Sequence, residues 1–188
     1  MKYWLSTLFI IISFINECFA QKEANNWYFG DRAAVTFSSN ELQSVNSSQM
    51  TSIGATSSWS NSKTGALLFY SNGLQVWNSN HNIMPNGNGL IGSSNSTNTS
   101  YVVPVPNSQT KFYLFTIKTD PYVSELISRK AAVYYSIIDI SLDNNLGDVL
   151  SDKKNIFLVD GYNGLIYATH FGKVYASDFG SNRASVSI

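Results

Sequence analysis

Sulfur chemistry is almost missing from this chain: of 188 residues one is cysteine, Cys18. It lies in a leader-like N-terminal segment, so the chain without that segment has no thiol. Disulfides, thiolate nucleophiles and zinc–thiolate sites are then excluded. Charge is scarce as well. Asp, Glu, Lys and Arg make up 13% of the residues, about half the usual share. Twelve basic and twelve acidic residues cancel to a formal net charge of zero. With no long basic stripe, nucleic-acid binding through phosphate neutralisation is excluded. Two histidines, His81 and His170, are too few to build a metal cluster from nearby ligands.

Catalytic signatures are also lacking. There is no Gly-x-Ser-x-Gly elbow, no His-Glu-x-x-His and no phosphate-cradling Gly-Lys motif. Serine is abundant, but a nucleophilic serine needs a neighbouring base, and the sequence pairs neither histidine with one. A glycosidase needs two carboxylates across a cleft. Asp120 and Glu125 are the only acidic pair near a loop, and solvent exposure accounts for them better. The expectation is a protein that is not an enzyme, with no cofactor and no metal.

Apolar and aromatic residues are plentiful, at 44% and 14%, enough to fill a core. Their clearest pattern is Ala66-Leu67-Leu68-Phe69-Tyr70, then Ser71-Asn72-Gly73, then Leu74-Gln75-Val76-Trp77. Asn and Gly tolerate the positive φ of a tight turn, and the flanking residues suit a half-buried pleated surface, so this is a β-hairpin. Further strands are expected at 26–29, 33–37, 101–105, 111–118, 133–140, 155–159, 165–169 and 173–176, with weaker ones near 42–45 and 53–59. Residues 80–99 read as one long Gly/Asn/Ser loop, of the kind that caps, binds or carries function. The one helical candidate is 123–130. Strands roughly every ten residues, separated by Gly/Asn/Ser turns, predict an all-β antiparallel meander. The expected architecture is β-propeller-like, with about three to four blades of four strands each; a β-sandwich is the alternative.

The N-terminus predicts a signal peptide over residues 1–20. Lys2 supplies the positive start, residues 3–14 the apolar stretch, and Cys18-Phe19-Ala20 the small residues before cleavage between Ala20 and Gln21. The apolar run is shorter than the ~20 residues of a membrane span, and Asn16 and Glu17 end it. Ile15-Asn16-Glu17 does not match lipoprotein processing at Cys18. Residues 21–188 are therefore expected as one exported domain, secreted or at the cell surface, with no stable membrane span.

Few side chains stand out as ligand contacts. Trp59, between Ser58 and Ser60, is the best candidate for an exposed aromatic face that stacks on a sugar. Trp27 and Trp77 sit in apolar strand patterns and are expected to pack between sheets. His81 lies in the expected long loop and reads as a solvated histidine or, less simply, a ligand contact. Asp139, Asp143 and Asp148 suggest a calcium loop, but counting from Asp143 puts Gly147 at position five and Lys154 at position twelve. An EF-hand needs Gly at six and Glu at twelve, so a turn held by Asx hydrogen bonds is expected instead. Asn46, Asn95 and Asn98 each open an Asn-x-Ser/Thr triplet, a pattern that chance supplies in so Ser/Asn-rich a chain.

Several motifs in order carry a resemblance: Asn25-Asn26-Trp27-Tyr28-Phe29-Gly30, then residues 65–78, then Met84-Pro85-Asn86-Gly87. Tyr101-Val102-Val103-Pro104-Val105-Pro106, Tyr113-Leu114-Phe115-Thr116, Tyr134-Tyr135-Ser136-Ile137-Ile138-Asp139 and Leu146-Gly147-Asp148-Val149 follow. Over residues 25–156 the chain resembles the N-terminal region of large secreted proteins from gliding Bacteroidetes. That resemblance implies a β-propeller-like fold and export by the type IX secretion route, whose members often carry a gliding-motility-associated C-terminal sorting domain. No such domain follows here, and the ending at residues 180–188 suggests a truncated fragment. The resemblance transfers no catalytic residue. The expected function is a non-catalytic binding or adhesion module for an unknown protein or glycan. The alternatives are the carbohydrate-binding part of a secreted carbohydrate-active enzyme and a non-functional remnant.

Overall fold

The computed structural model describes residues 22–39, 41–93, 100–119, 131–162, 165–168, 173–177 and 183–187, with side chains as far as residue 159. All of its extended secondary structure is β. Fifteen strands run β1 (Asn26–Phe29), β2 (Ala33–Thr36), β3 (Gln43–Val45), β4 (Ser57–Ser60), β5 (Leu67–Ser71), β6 (Gln75–Asn78), β7 (Ile83–Asn88) and β8 (Ser100–Pro104). They continue as β9 (Lys111–Thr119), β10 (Ala131–Asp139), β11 (Asp148–Val149), β12 (Ile156–Tyr162), β13 (Leu165–Ala168), β14 (Lys173–Ser177) and β15 (Arg183–Ser187). The only helical turns among the described residues are two 3₁₀ segments, Asp143–Asn145 and Ser151–Lys153. Every strand pairing is antiparallel.

The strands form four sheets in chain order: β1-β2-β3, then β4-β5-β6-β7, then β8-β9-β10 with β11 and β12, then β13-β14-β15. In the third sheet β11 and β12 lie along the same edge of β10: Val149 faces Ile138, and Ile156 faces Tyr135. The 3₁₀ turn between them breaks what is otherwise one outer strand. Both prolines within strands, Pro85 in β7 and Pro104 in β8, sit on edge strands, where a missing N–H costs no ladder bond.

The second sheet is apolar on both faces, and this organises the core. One face carries Tyr70 and Trp77, which join Tyr28, Ala34 and Met50 from the first sheet and its outgoing loop. The other carries Phe69, Val76 and Met84, which meet Phe112, Leu114, Ile138 and Val149 of the third sheet. The third sheet buries its far face too, with Val103, Phe115, Ile117, Ala131 and Val133. Sheets wetted on one side alternate apolar and polar residues; these do not, and Leu67-Leu68-Phe69-Tyr70 is their sequence trace.

The chain crosses from the second sheet to the third through residues 89–93. Its backbone is held by side chains of the sheet it approaches: Asn155 Oδ1 accepts from Ile91 N at 2.9 Å, and Thr116 Oγ1 donates to Ile91 O at 2.6 Å. A Cβ on Gly92 would run into the carbonyl oxygen of Gly73 in the β5–β6 turn, so this crossing requires glycine.

The structure redraws some sequence-based boundaries. The turn after β5 is wider than a two-residue hairpin: Ser71 faces Val76, and the Asn72 carboxamide oxygen accepts from Leu74 N and Gln75 N at 3.0 and 2.9 Å. The stretch 80–99 is not one loop, because β7 occupies Ile83–Asn88; its Asn, Pro and Gly residues mask an edge strand whose only large buried side chain is Met84. The strand expected over 53–59 is confined to Ser57–Ser60, and Ile53 is 86% exposed. Strand β15 falls where the sequence reads as an abrupt end. The helical candidate at 123–130, the signal segment with Ala20 and Gln21, and the Asp120/Glu125 pair lie outside the described residues.

Phe69 is fully buried between two sheets. Its replacement by Ala is expected to cost about 3–5 kcal/mol in urea denaturation. Ile53→Ser, at an exposed site, is expected to change stability by less than about 0.5 kcal/mol.

Candidate functional site

The first strands of successive sheets lie against one another. β1 contacts β4, β4 contacts β8, and β8 contacts β13. Hydroxyl side chains on β4 and just before it make the first two approaches close. On one side Thr56 Oγ1 donates to Tyr28 O at 2.7 Å and Ser58 Oγ donates to Asn26 O at 2.6 Å. Ser60 Oγ accepts from Asn26 Nδ2 at 2.9 Å. On the other side Ser57 Oγ and Ser100 Oγ share a hydrogen at 2.6 Å. Alternation along a strand sends residues 56, 58 and 60 toward β1 and residue 57 toward β8.

Where β1, β4 and β8 converge they leave an open cleft of about 570 Å³, within the range of small-molecule sites. Trp27, Phe29, Trp59 and Tyr101 give it aromatic walls, and Thr56, Ser57, Ser58 and Ser100 contribute the hydroxyl residues of its lining. Glu23 is its one charged lining residue among the described residues. Trp27 is 52% exposed and meets Phe37 edge-on, with ring centroids 5.2 Å apart.

The tryptophans therefore separate differently from the expectation. Trp77 is core, at 4% exposure, stacked on Tyr70 at 5.4 Å and 7°. Trp27 is not core: Tyr28 takes the inward position on β1 and turns its neighbour out. The run Trp27-Tyr28-Phe29 is apolar at both parities, so its sequence holds no phase from which to tell inside from outside. Trp59 lines the cleft, and its ring also packs 5.7 Å from Phe112. Trp27 is expected in the core from its sequence pattern, and Glu23, Phe29, Thr56, Ser57, Ser58, Ser100 and Tyr101 are lining residues that sequence reasoning did not single out.

His81 is elsewhere. It sits in the β6–β7 turn with φ 64°, its Nδ1 3.3 Å from Tyr70 Oη and its ring 5.8 Å from both Tyr28 and Tyr70. Tyr28 and Tyr70 stack at 4.2 Å. Burial raises both phenols above 10.0 and lowers His81 below 6.5. Because Gln49 N donates to Tyr70 Oη at 3.2 Å, the phenol hydrogen is free to go to an unprotonated Nδ1. His81 is thus a neutral cap on an aromatic stack, and the structure does not bring it together with Trp59.

The three aspartates have separate tasks. Asp148 accepts from Asn86 N and Asn86 Nδ2, both at 2.8 Å, tying β7 to β11. Asp139 Oδ1 accepts from Ser141 N and Ser141 Oγ at 3.0 and 2.7 Å. Burial pushes Asp139 up, but the Ser141 and Thr110 hydrogen bonds and the nearby Lys111 outweigh it and leave its carboxyl below 3.8. Asp143 is exposed and opens three successive positive-φ residues, Asp143, Asn144 and Asn145. Among the described residues there is no group of three or more His, Cys, Asp or Glu placed to hold a metal ion. No helix among them is long and apolar enough to cross a membrane. No family model matches the chain, and neither a curated protein nor a solved structure matches it.

The histidine sets a pH dependence. Its folded-state pKa lies below the ordinary 6.5, so the stability tied to neutral His81 is present above that value and is lost as pH falls through the folded pKa. Urea midpoints are expected to drop as pH falls below the ordinary 6.5, and His81→Asn is expected to flatten that drop. Asn suits the variant because it tolerates positive φ.

Proposed function

We propose that this chain is an exported, non-catalytic binding module whose meandering sheets are the blades of a propeller-like array. The observation that supports the reading is the line of first strands, β1 beside β4 beside β8 beside β13, with an aromatic, hydroxyl-lined cleft along it. In a propeller the innermost strands of consecutive blades surround a common axis, and ligands meet the array there or at the loops. A simple two-sheet sandwich gives no reason for the second and third sheets to be buried on both faces. Export is supported by the leader-like segment ending at Ala20, and a type IX, gliding-associated context by the ordered motifs of residues 25–156.

Binding is the better account of the cleft than catalysis. Among the described residues, its lining has hydroxyls already engaged with backbone or with each other, a single carboxylate, and no histidine. General acid–base work needs a positioned titratable group with a partner, and Glu23 has no second carboxylate among the lining residues.

The test is attachment. Fluorescently labelled chain is incubated with intact cells of the source organism and counted by flow cytometry. Saturable attachment is expected, reduced about fivefold or more by Trp27→Ala. Absence of saturable attachment, or product formation from glycan or peptide substrates by the purified chain, would overturn the reading.

A further inference from the structure

We infer that the cleft between β1, β4 and β8 takes a neutral saccharide, an inference that rests on the binding-module reading above. Three features lead there. First, Trp27 offers an indole that is half exposed yet held in place by Phe37. The C–H face of a sugar ring carries slight positive charge and lies well on the negative face of such a π system. Second, the polar part of the lining is neutral hydroxyl. Thr56 and Ser58 spend their hydrogens on the carbonyls of Tyr28 and Asn26, which leaves lone pairs to accept from sugar hydroxyls. In the Ser57–Ser100 pair, which shares one hydrogen, Ser100 is buried and Ser57 is the partly exposed member that can meet a ligand hydroxyl. Third, no cation lines the cleft among the described residues, so an anionic sugar or phosphate would meet Glu23 without a counter-charge.

An aromatic cleft with one carboxylate also suits a quaternary ammonium ion. The hydroxyls decide for the saccharide, because a quaternary ammonium has no hydrogen-bonding groups with which to use those of Thr56, Ser57 and Ser58. The ligand class also explains a departure from normal burial: a large indole is left in water on a strand whose neighbour, Tyr28, is core.

Native affinity electrophoresis of the full chain tests this, in gels containing starch, mixed-linkage β-glucan, xyloglucan or galactomannan, with polygalacturonate as the anionic comparison. At least one neutral polysaccharide is expected to retard the chain. Trp27→Ala is expected to weaken that binding about tenfold or more, and Trp27→Phe less. Trp59→Phe serves as the second variant; it keeps a ring against Phe112 and is expected to weaken binding while leaving the near-UV circular dichroism of the fold in place. Retardation by polygalacturonate alone, displacement by choline chloride, or equal retardation of the parent, Trp27→Ala and Trp59→Phe would overturn the inference. If the parent attaches to cells, protease treatment of those cells abolishes attachment, and no polysaccharide retards it, the saccharide is overturned and the binding module stands. If it neither attaches nor is retarded, both fall.

Discussion

The close approach of β1 and β8 to β4 is the constraint on which the rest of the molecule depends. Strands of different sheets do not share a ladder, so their backbone groups need other partners. Here Thr56 and Ser58 donate to the β1 carbonyls of Tyr28 and Asn26, and Ser57 bridges β4 to β8 through the Ser100 hydroxyl. Longer side chains at these positions would push the first strands apart and empty the aromatic walls of the cleft. Apolar side chains of similar size would leave the carbonyls of Asn26 and Tyr28 without those donors, at about 1–3 kcal/mol for each group left buried and unpaired. The hydroxyl richness that dilutes charge in the composition thus has a structural task.

The same economy holds through the core. With no sulfur bridge among the described side chains, stability comes from sheets buried on both faces and from polar groups that all find partners. Among the described residues no buried side-chain nitrogen or oxygen lacks one. The Tyr28–Tyr70–Trp77 stack joins the first sheet to the second, and its polar end is closed by His81 and Gln49 N. Phe69, one residue along from Tyr70, points the other way and joins the second sheet to the third. Consecutive residues on one strand therefore hold three sheets together.

Strand order was legible where one parity was strongly apolar or the turn residues were unambiguous, as in β5, β6, β9 and β10. It was obscured where a strand served an edge. β7 carries Asn, Pro and Gly because its outward side needs little packing and no N–H at Pro85, and those residues read as loop. The site was only half legible for a related reason. Trp59 is flagged by its serine neighbours, and the structure places it at the cleft. Trp27 is hidden because its parity partner Phe29 and its neighbour Tyr28 are equally apolar, so only the tertiary placement of Tyr28 against Tyr70 assigns it outward. His81 stands out by rarity, and rarity is a poor guide: its surroundings make it part of the aromatic stack. Ser57 and Ser100 lie 43 residues apart, and no local pattern predicts their meeting.

A site built from strands rather than from loops has an energetic consequence. Loop residues must give up conformational freedom on binding, whereas these side chains have already lost theirs on folding. Thr56 and Ser58 are fixed by donation to backbone, Ser57 and Ser100 by each other, and Trp27 by the edge of Phe37. The ligand we propose would meet acceptors and an indole face already in position, so little of its interaction free energy would go into ordering the protein. The cost falls on the free state, where Trp27 and Phe29 stay 52% and 42% exposed and favour association with any apolar surface. A cleft only weakly charged, with hydroxyls between the aromatic faces, limits that association, because a purely apolar partner would bury the hydroxyls without using them. The saccharide we propose for the cleft, flat, apolar on one face and rich in hydroxyls, would use the same residues that hold the strands together.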